Sequence, residues 1–183
     1  MPGLSPRKAK LAVERRLAHL VTRSGKWRTK IIRELAPVLA GGRVLEIGSG
    51  RQDLGTNAYS MKDTFPASCD FVQSDVNPAF GHPIVDITTM EYEEEFDTIL
   101  CLSVLEHVGN FWEAVPRLHQ ALRPGGRLII SVPCNFPYHD EPKDYYRFTA
   151  HGVRLLLGDF QEVDVRHRGL RRLPFTVVAI ATK

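Results

Sequence analysis

Apolar positions follow two different rhythms along this chain. In the first forty residues they recur at helical spacing. Val13, Leu17, Leu20 and Val21 form one stripe, and Trp27, Ile31, Leu35 and Val38 form another, which predicts helices over 6–22 and 26–40. Ser24-Gly25 separates them and Gly41-Gly42 ends the second. Beyond residue 42 short continuous apolar runs take over. RVLEIG (43–48), CDFVQS (69–74), PIVD (83–86), DTILCL (97–102), RLIISVP (127–133), QEVDVRH (161–167) and FTVVAIATK (175–183) are the predicted strands. Helical stretches are expected over 103–108, 112–122 and 149–157. Continuous apolar strands imply a sheet covered on both faces, and their alternation with helices implies parallel βαβ units. The last two strands have only the basic turn RGLRRLP (168–174) between them, so they should pair antiparallel.

The expected architecture is α/β: a Rossmann-like, mostly parallel sheet with an antiparallel last strand and helices on both faces. A basic helical arm (1–40) would precede a single compact domain (41–183). The 183 residues suit one such core. The longest apolar runs are far shorter than the ~20 residues a membrane span needs, so no membrane insertion is expected. Three widely spaced cysteines, Cys69, Cys101 and Cys134, fit reduced core thiols in a cytoplasmic protein. No CxxC or HExxH pattern occurs, and no metal is expected.

Charge is unevenly spread. Residues 1–34 hold ten Lys/Arg against two Asp/Glu, residues 35–165 hold nine against nineteen, and the tail from 166 holds five against none. A basic arm on an acidic body could grip an anionic partner or dock on its own domain.

Candidate chemistry gathers where an open α/β sheet binds its ligands, beyond the carboxyl ends of the strands. Glu46, Gly48, Ser49 and Gly50 follow the first strand, Asp75 and Val76 the second, Asp86 and Ile87 the third, and Leu102-Ser103 the fourth. A carboxylate at the second strand's end can accept from both ribose hydroxyls, which makes a dinucleotide the first rival. Its fingerprint fails here, because Asp53 stands where the third glycine belongs and another carboxylate crowds the phosphate turn. A cationic nucleoside without phosphates suits three acids better, and S-adenosylmethionine is such a ligand.

VLEIGSG (44–50), QSDVNP, VDI, FDTILCLSVLEHV and LRPGGRLIISVP resemble, in order, the motifs of class I S-adenosylmethionine-dependent methyltransferases, the last two those of the type 11 branch. The resemblance covers about residues 42–160. It implies that Glu46, Gly48 and Gly50 hold the methionine end of the cofactor, Asp75 the ribose, and Asp86 with Ile87 the adenine, with the backbone near Leu102-Ser103 closing over it. One departure is the polar, broken stretch 51–68, which lacks the usual long helix. Arg51 is the replacement positive charge on offer. Glu106-His107 either orients the short helix after the fourth strand or touches a ligand.

The loop NFPYHDEPKDYYRFT (135–149) is the other unusual segment. His139, Pro142, Asp144, Tyr145, Arg147, Phe148 and Thr149 match a pattern that resembles a bacterial subset of type 11-like methyltransferases, many associated with glycans or specialised metabolites. That resemblance implies a polar small-molecule acceptor. His139, oriented by Asp144 or Asp140, is the candidate base. Tyr138, Tyr145, Tyr146 and Arg147 are candidate acceptor contacts, and Thr149 is a candidate helix N-cap. Methylation of RNA or protein through the basic arm, and a non-catalytic cofactor-binding protein, are the alternatives. No RNA-binding module supports the former.

Overall fold

A computed structural model describes residues 25–39, 42–51, 60–139 and 143–183. The helix expected over 6–22, the stretch 52–59, and Asp140 and Pro142 lie outside the described residues. The helix α1 covers residues 25–35 and passes into a turn over 36–39. Then come β1 (Arg43–Ile47), β2 (Asp70–Ser74), β3 (Phe96–Leu102), α2 (Phe111–Ala121), β4 (Leu122–Pro133), α3 (Ala150–Leu156), β5 (Glu162–Leu170) and β6 (Leu173–Thr182).

The six strands form one sheet in the order β2-β1-β3-β4-β6-β5. β2, β1, β3 and β4 run parallel, while β6 is antiparallel to both β4 and β5. The hairpin is tighter than the sequence suggests. β5 and β6 pair down to Leu170 and Leu173, which leaves only Arg171 and Arg172 in the turn.

The alternating pleat sorts the apolar runs onto two faces. Val44, Leu100, Leu102, Ile129 and Val178 face α1 and the turn after it, whose Ile31, Ile32, Ala36 and Leu39 are buried against them. Leu45, Ile47, Ile99, Cys101, Leu128 and Ile130 point the other way, into a larger core with Ala114, Val115 and Leu118 of α2 and Val153 of α3. Fully burying each of these aliphatic side chains stabilises the fold by roughly 1.5–3 kcal/mol before entropy is charged. Pro116 sits inside α2 without ending it. Thr149 caps α3, its hydroxyl accepting from Gly152 N at 3.0 Å.

Four expectations need correction. PIVD is not a strand; only an isolated parallel bridge joins Asp75 to Ile84, because Pro83 supplies no amide to a ladder. The helix expected over 103–108 is instead a single 3-10 turn, Leu105–His107, entered through Ser103 at φ +58°. β4 starts at Leu122 rather than at the expected Arg127, so it takes in Pro124-Gly125-Gly126, where the register with β3 shifts and Gly125 takes φ +75°. The buried stripe of α1 is also rotated from the expected one. Val38 is exposed and Leu39 buried, since the helix has already unwound into a turn there.

Candidate active site

A cavity of about 240 Å³ opens at the carboxyl edge of the sheet. Its wall includes Gly48, Asp75, Val76, Asp86, Ile87 and His107. Five of these six are sequence-predicted. Gly48 sits at φ +72°, and a Cβ there would come within 2.7 Å of Val104 Cγ2, so glycine is what lets the backbone border the cavity.

Asp75 is buried and anchored by backbone amides. Its Oδ2 accepts from Gly50 N at 3.0 Å and its Oδ1 from Asn77 N at 2.9 Å. An ionised carboxylate offers about four acceptor positions, so each oxygen keeps capacity for a further donor. Asp86 is more exposed. Its Oδ1 accepts from Thr88 N and Thr88 Oγ1 at 2.8 and 2.7 Å. These residues fit the nucleoside half of the implied cofactor: fixed acceptors, apolar Val76, Val85 and Ile87 beside them, and a glycine where backbone must come close.

Glu46, Ser49, Gly50, Leu102 and Ser103 are not on this wall. Glu46 is buried, and its carboxylate accepts from Met61 N at 2.6 Å, from Ser49 Oγ at 2.8 Å and from Ser60 Oγ. It therefore clamps the chain re-entering at residue 60 onto the first turn. Burial pushes its carboxyl above the usual range against the pull of those donors. Gly50 hands its carbonyl to His82 Nε2 at 2.8 Å. Arg51 is exposed and away from the wall. Leu102 belongs to the α1-side core.

Ser103 takes part in a contact the sequence reading missed. Arg28 of α1 donates from Nη1 to Ser103 Oγ at 3.0 Å, and its buried Nε has no hydrogen-bond partner. Burial lowers the guanidinium's pKa, while the charges of Glu106 and Glu46 raise it. A signal existed: Arg28 stands three and four residues before Ile31 and Ile32, on the buried stripe itself.

The loop after β4 folds back over the 3-10 turn. Tyr145 N donates to Glu106 O at 2.8 Å, and Tyr146 Oη to Gly109 O at 2.7 Å. Arg147 grips Asp144 through both terminal nitrogens at 2.5 Å and reaches the carbonyls of Phe136 and Pro137. Those guanidinium bonds hold the Asp144 carboxyl well below the usual range. Asp144 Oδ2 also accepts from His139 N at 2.9 Å and lies 3.2 Å from His139 Nδ1. His139 stacks edge-to-face with His107, ring centroids 5.0 Å apart. Tyr138 and Tyr145 are exposed on the same loop. The structure thus brings His139, Asp144 and Arg147 together and sets them against His107, a wall residue. It spends Tyr146 and Arg147 on the loop itself.

Glu106 is 1% exposed, and burial pushes its carboxyl up to about 7. Its Oε2 has no hydrogen-bond partner.

The chain belongs to the methyltransferase domain family whose model matches residues 17–168, of the class I S-adenosylmethionine-dependent type. It is 27% identical over 131 residues to a ubiquinone biosynthesis O-methyltransferase of Pseudomonas syringae pv. tomato, covering 65% of this chain and 53% of that protein. It is 25% identical over 109 residues to the 27-O-demethylrifamycin SV methyltransferase of Amycolatopsis mediterranei, covering 52% and 40%. The chain spans about half the length of these curated relatives. Among solved structures, a SAM-dependent methyltransferase from Archaeoglobus fulgidus superposes with a TM-score of 0.66 at 14% identity, covering 86% of this chain and 94% of that one. A 1,6-didemethyltoxoflavin-N1-methyltransferase from Burkholderia thailandensis gives 0.59 at 20%, covering 100% and 92%. These likenesses establish the fold. Among the described residues no helix is long and apolar enough to cross a membrane.

Proposed function

We propose that this protein methylates a hydroxyl of a polar small molecule. When bound, S-adenosylmethionine supplies a methyl group already activated by its sulfonium. Asp75 would receive the ribose hydroxyls, Asp86 and Ile87 would border the adenine, and Gly48 would let the backbone approach. These assignments rest on the cavity wall described above.

The observation that carries the acceptor side is the pairing of His139 with Asp144 beside the wall residue His107. An Nδ1–H directed at Asp144 leaves Nε2 with its lone pair. Asp144, kept ionised by Arg147, would hold that tautomer and favour the imidazolium that forms when Nε2 takes the acceptor's proton. Positioning of the two reactants and exclusion of water carry most of the rate, up to about 7–11 kcal/mol, and the base adds ~10²–10⁴-fold. Relatives named for transfer to oxygen support the choice of a hydroxyl over an amine.

The test is an acceptor screen of polyols, glycosides and phenols that reads S-adenosylhomocysteine release. One acceptor class should turn over. His139→Ala should then slow turnover at least a hundredfold while S-adenosylhomocysteine binding stays within twofold. Full activity in that variant refutes the base.

A further inference from the structure

We propose that Glu106, His107 and His139 form a binding site for one divalent transition-metal ion at the edge of the cofactor cavity. Sequence pattern gives no hint of it, since the three residues come from two separate segments. The fold brings one ligand atom from each within 4.8 Å of the other two. His107 Nε2 stands 3.9 Å from Glu106 Oε1. Ligands about 2.0–2.1 Å from a tetrahedral zinc stand roughly 3.4 Å apart, so closing on an ion takes a movement of about half an ångström for this pair and of up to about 1.4 Å for a pair at the 4.8 Å limit.

The surroundings are those a metal centre needs. Metal-binding histidines donate their second ring N–H to a carboxylate or carbonyl, which fixes tautomer and ring orientation. Both imidazoles have that arrangement. His107 Nδ1 meets Lys143 O at 2.7 Å, and His139 Nδ1 lies 3.2 Å from Asp144 Oδ2 and 3.3 Å from Pro137 O. Both Nε2 atoms are thereby left as lone-pair donors. Glu106 supplies the independent observation. It is 1% exposed, yet its Oε2 is without a partner, and leaving a buried acceptor unsatisfied is costly. The neighbouring buried acids differ: Glu46 has three donors and Asp75 two. Arg28 and Arg147 are the cations whose charge reaches Glu106, but their hydrogen bonds go to Ser103 and Asp144.

Two imidazoles and one carboxylate suit zinc, iron(II), cobalt(II) or manganese(II) better than calcium or magnesium, and three protein ligands leave positions open. His107 lies on the cavity wall, so those positions border the cofactor. The inference rests on the methyl-transfer reading in one respect: an acceptor oxygen is the group that would fill an open position. A hydroxyl on the ion releases its proton to water more readily. His139 then serves as ligand, and as base only in the ion-free protein.

The experiment titrates the chelator-treated 183-residue chain with cobalt(II), following visible ligand-field absorption, with S-adenosylhomocysteine binding measured on the same samples. One equivalent should bind at micromolar or tighter affinity. Glu106→Gln, His107→Gln and His139→Gln should each weaken it at least tenfold. No cobalt spectrum, or one that all three variants leave unchanged, overturns the site. Retained S-adenosylhomocysteine binding without cobalt binding rejects the metal site alone. Cobalt binding without S-adenosylhomocysteine binding rejects the methyl-transfer reading and leaves the metal site standing.

Discussion

Arg28 and Ser103, 75 positions apart, are joined by a 3.0 Å hydrogen bond from the helix α1 to the turn that follows β3. The serine holds φ +58°, which costs a non-glycine residue roughly 1–2 kcal/mol. The bond therefore couples the N-terminal helix to a backbone that needs holding.

Arg28→Ala should loosen both partners. A hydrogen bond to a charged group contributes about 1.5–3 kcal/mol, part of it offset here by relieving a buried cation. We expect a net loss of about 1 kcal/mol in urea denaturation and faster amide exchange at Ser103 and in α1. Unchanged exchange at Ser103 would show that the turn holds itself.

Asp144 gives the loop after β4 a pH dependence. Its folded pKa is depressed below the unfolded value of ~3.9. The pair with Arg147 therefore contributes stability that is present above that value and lost as pH falls below it. Asp144→Asn should cost about 3 kcal/mol at pH 7, the lower end for a broken shielded pair, and this difference should shrink steadily below about pH 4. Denaturation curves between pH 7 and pH 2.5 check it. A gap independent of pH would exclude the ion pair as its source.

Gly48→Ala should damage binding more than folding. The alanine would be forced to φ +72° and its methyl into Val104, within the cavity wall. A stability loss of about 1–2 kcal/mol is expected from backbone strain. Affinity for S-adenosylhomocysteine should fall more than tenfold by calorimetry. Wild-type affinity would remove Gly48 from the cofactor site.

Thr149→Ala tests the local reading of α3. The lost bond to Gly152 N should cost about 1 kcal/mol of stability, while Thr149→Asn should recover most of it. Thermal melts of the two variants suffice.

The sheet was legible because burial on both faces writes continuous apolar runs, and the acids at strand ends follow from topology. Asp75 and Gly48 were placed that way, whereas Asp86 was placed at the end of a strand that the structure reduces to a bridge. The pairing of His139 with Asp144 was also readable, since both lie within one loop, whereas Arg147, expected to touch the acceptor, holds Asp144. What could not be read depended on partners far along the chain. Glu46 looks like a ligand-binding acid in VLEIGSG, yet the segment returning at Ser60 and Met61 occupies it. The short run PIVD has strand composition, but Pro83 limits it to a bridge. Arg28 was hidden because a charge on an apolar stripe reads as an interruption. Glu106 and His107 read as orienting a short helix or touching a ligand, and their place beside His139 depends on how β3 and β4 pair.

The bridge between Asp75 and Ile84 has a consequence of its own. Where a full strand would finish the sheet, two backbone hydrogen bonds of 3.2 Å, Asp75 N to Pro83 O and Val85 N to Asp75 O, hold the Asp86 side of the cavity. A seam of two hydrogen bonds opens more readily than a full ladder, and a nucleoside seated on Asp75 and Asp86 would stitch it shut from outside. Occupancy would then set the rigidity of this border, so the empty and filled proteins should differ most in protease sensitivity there.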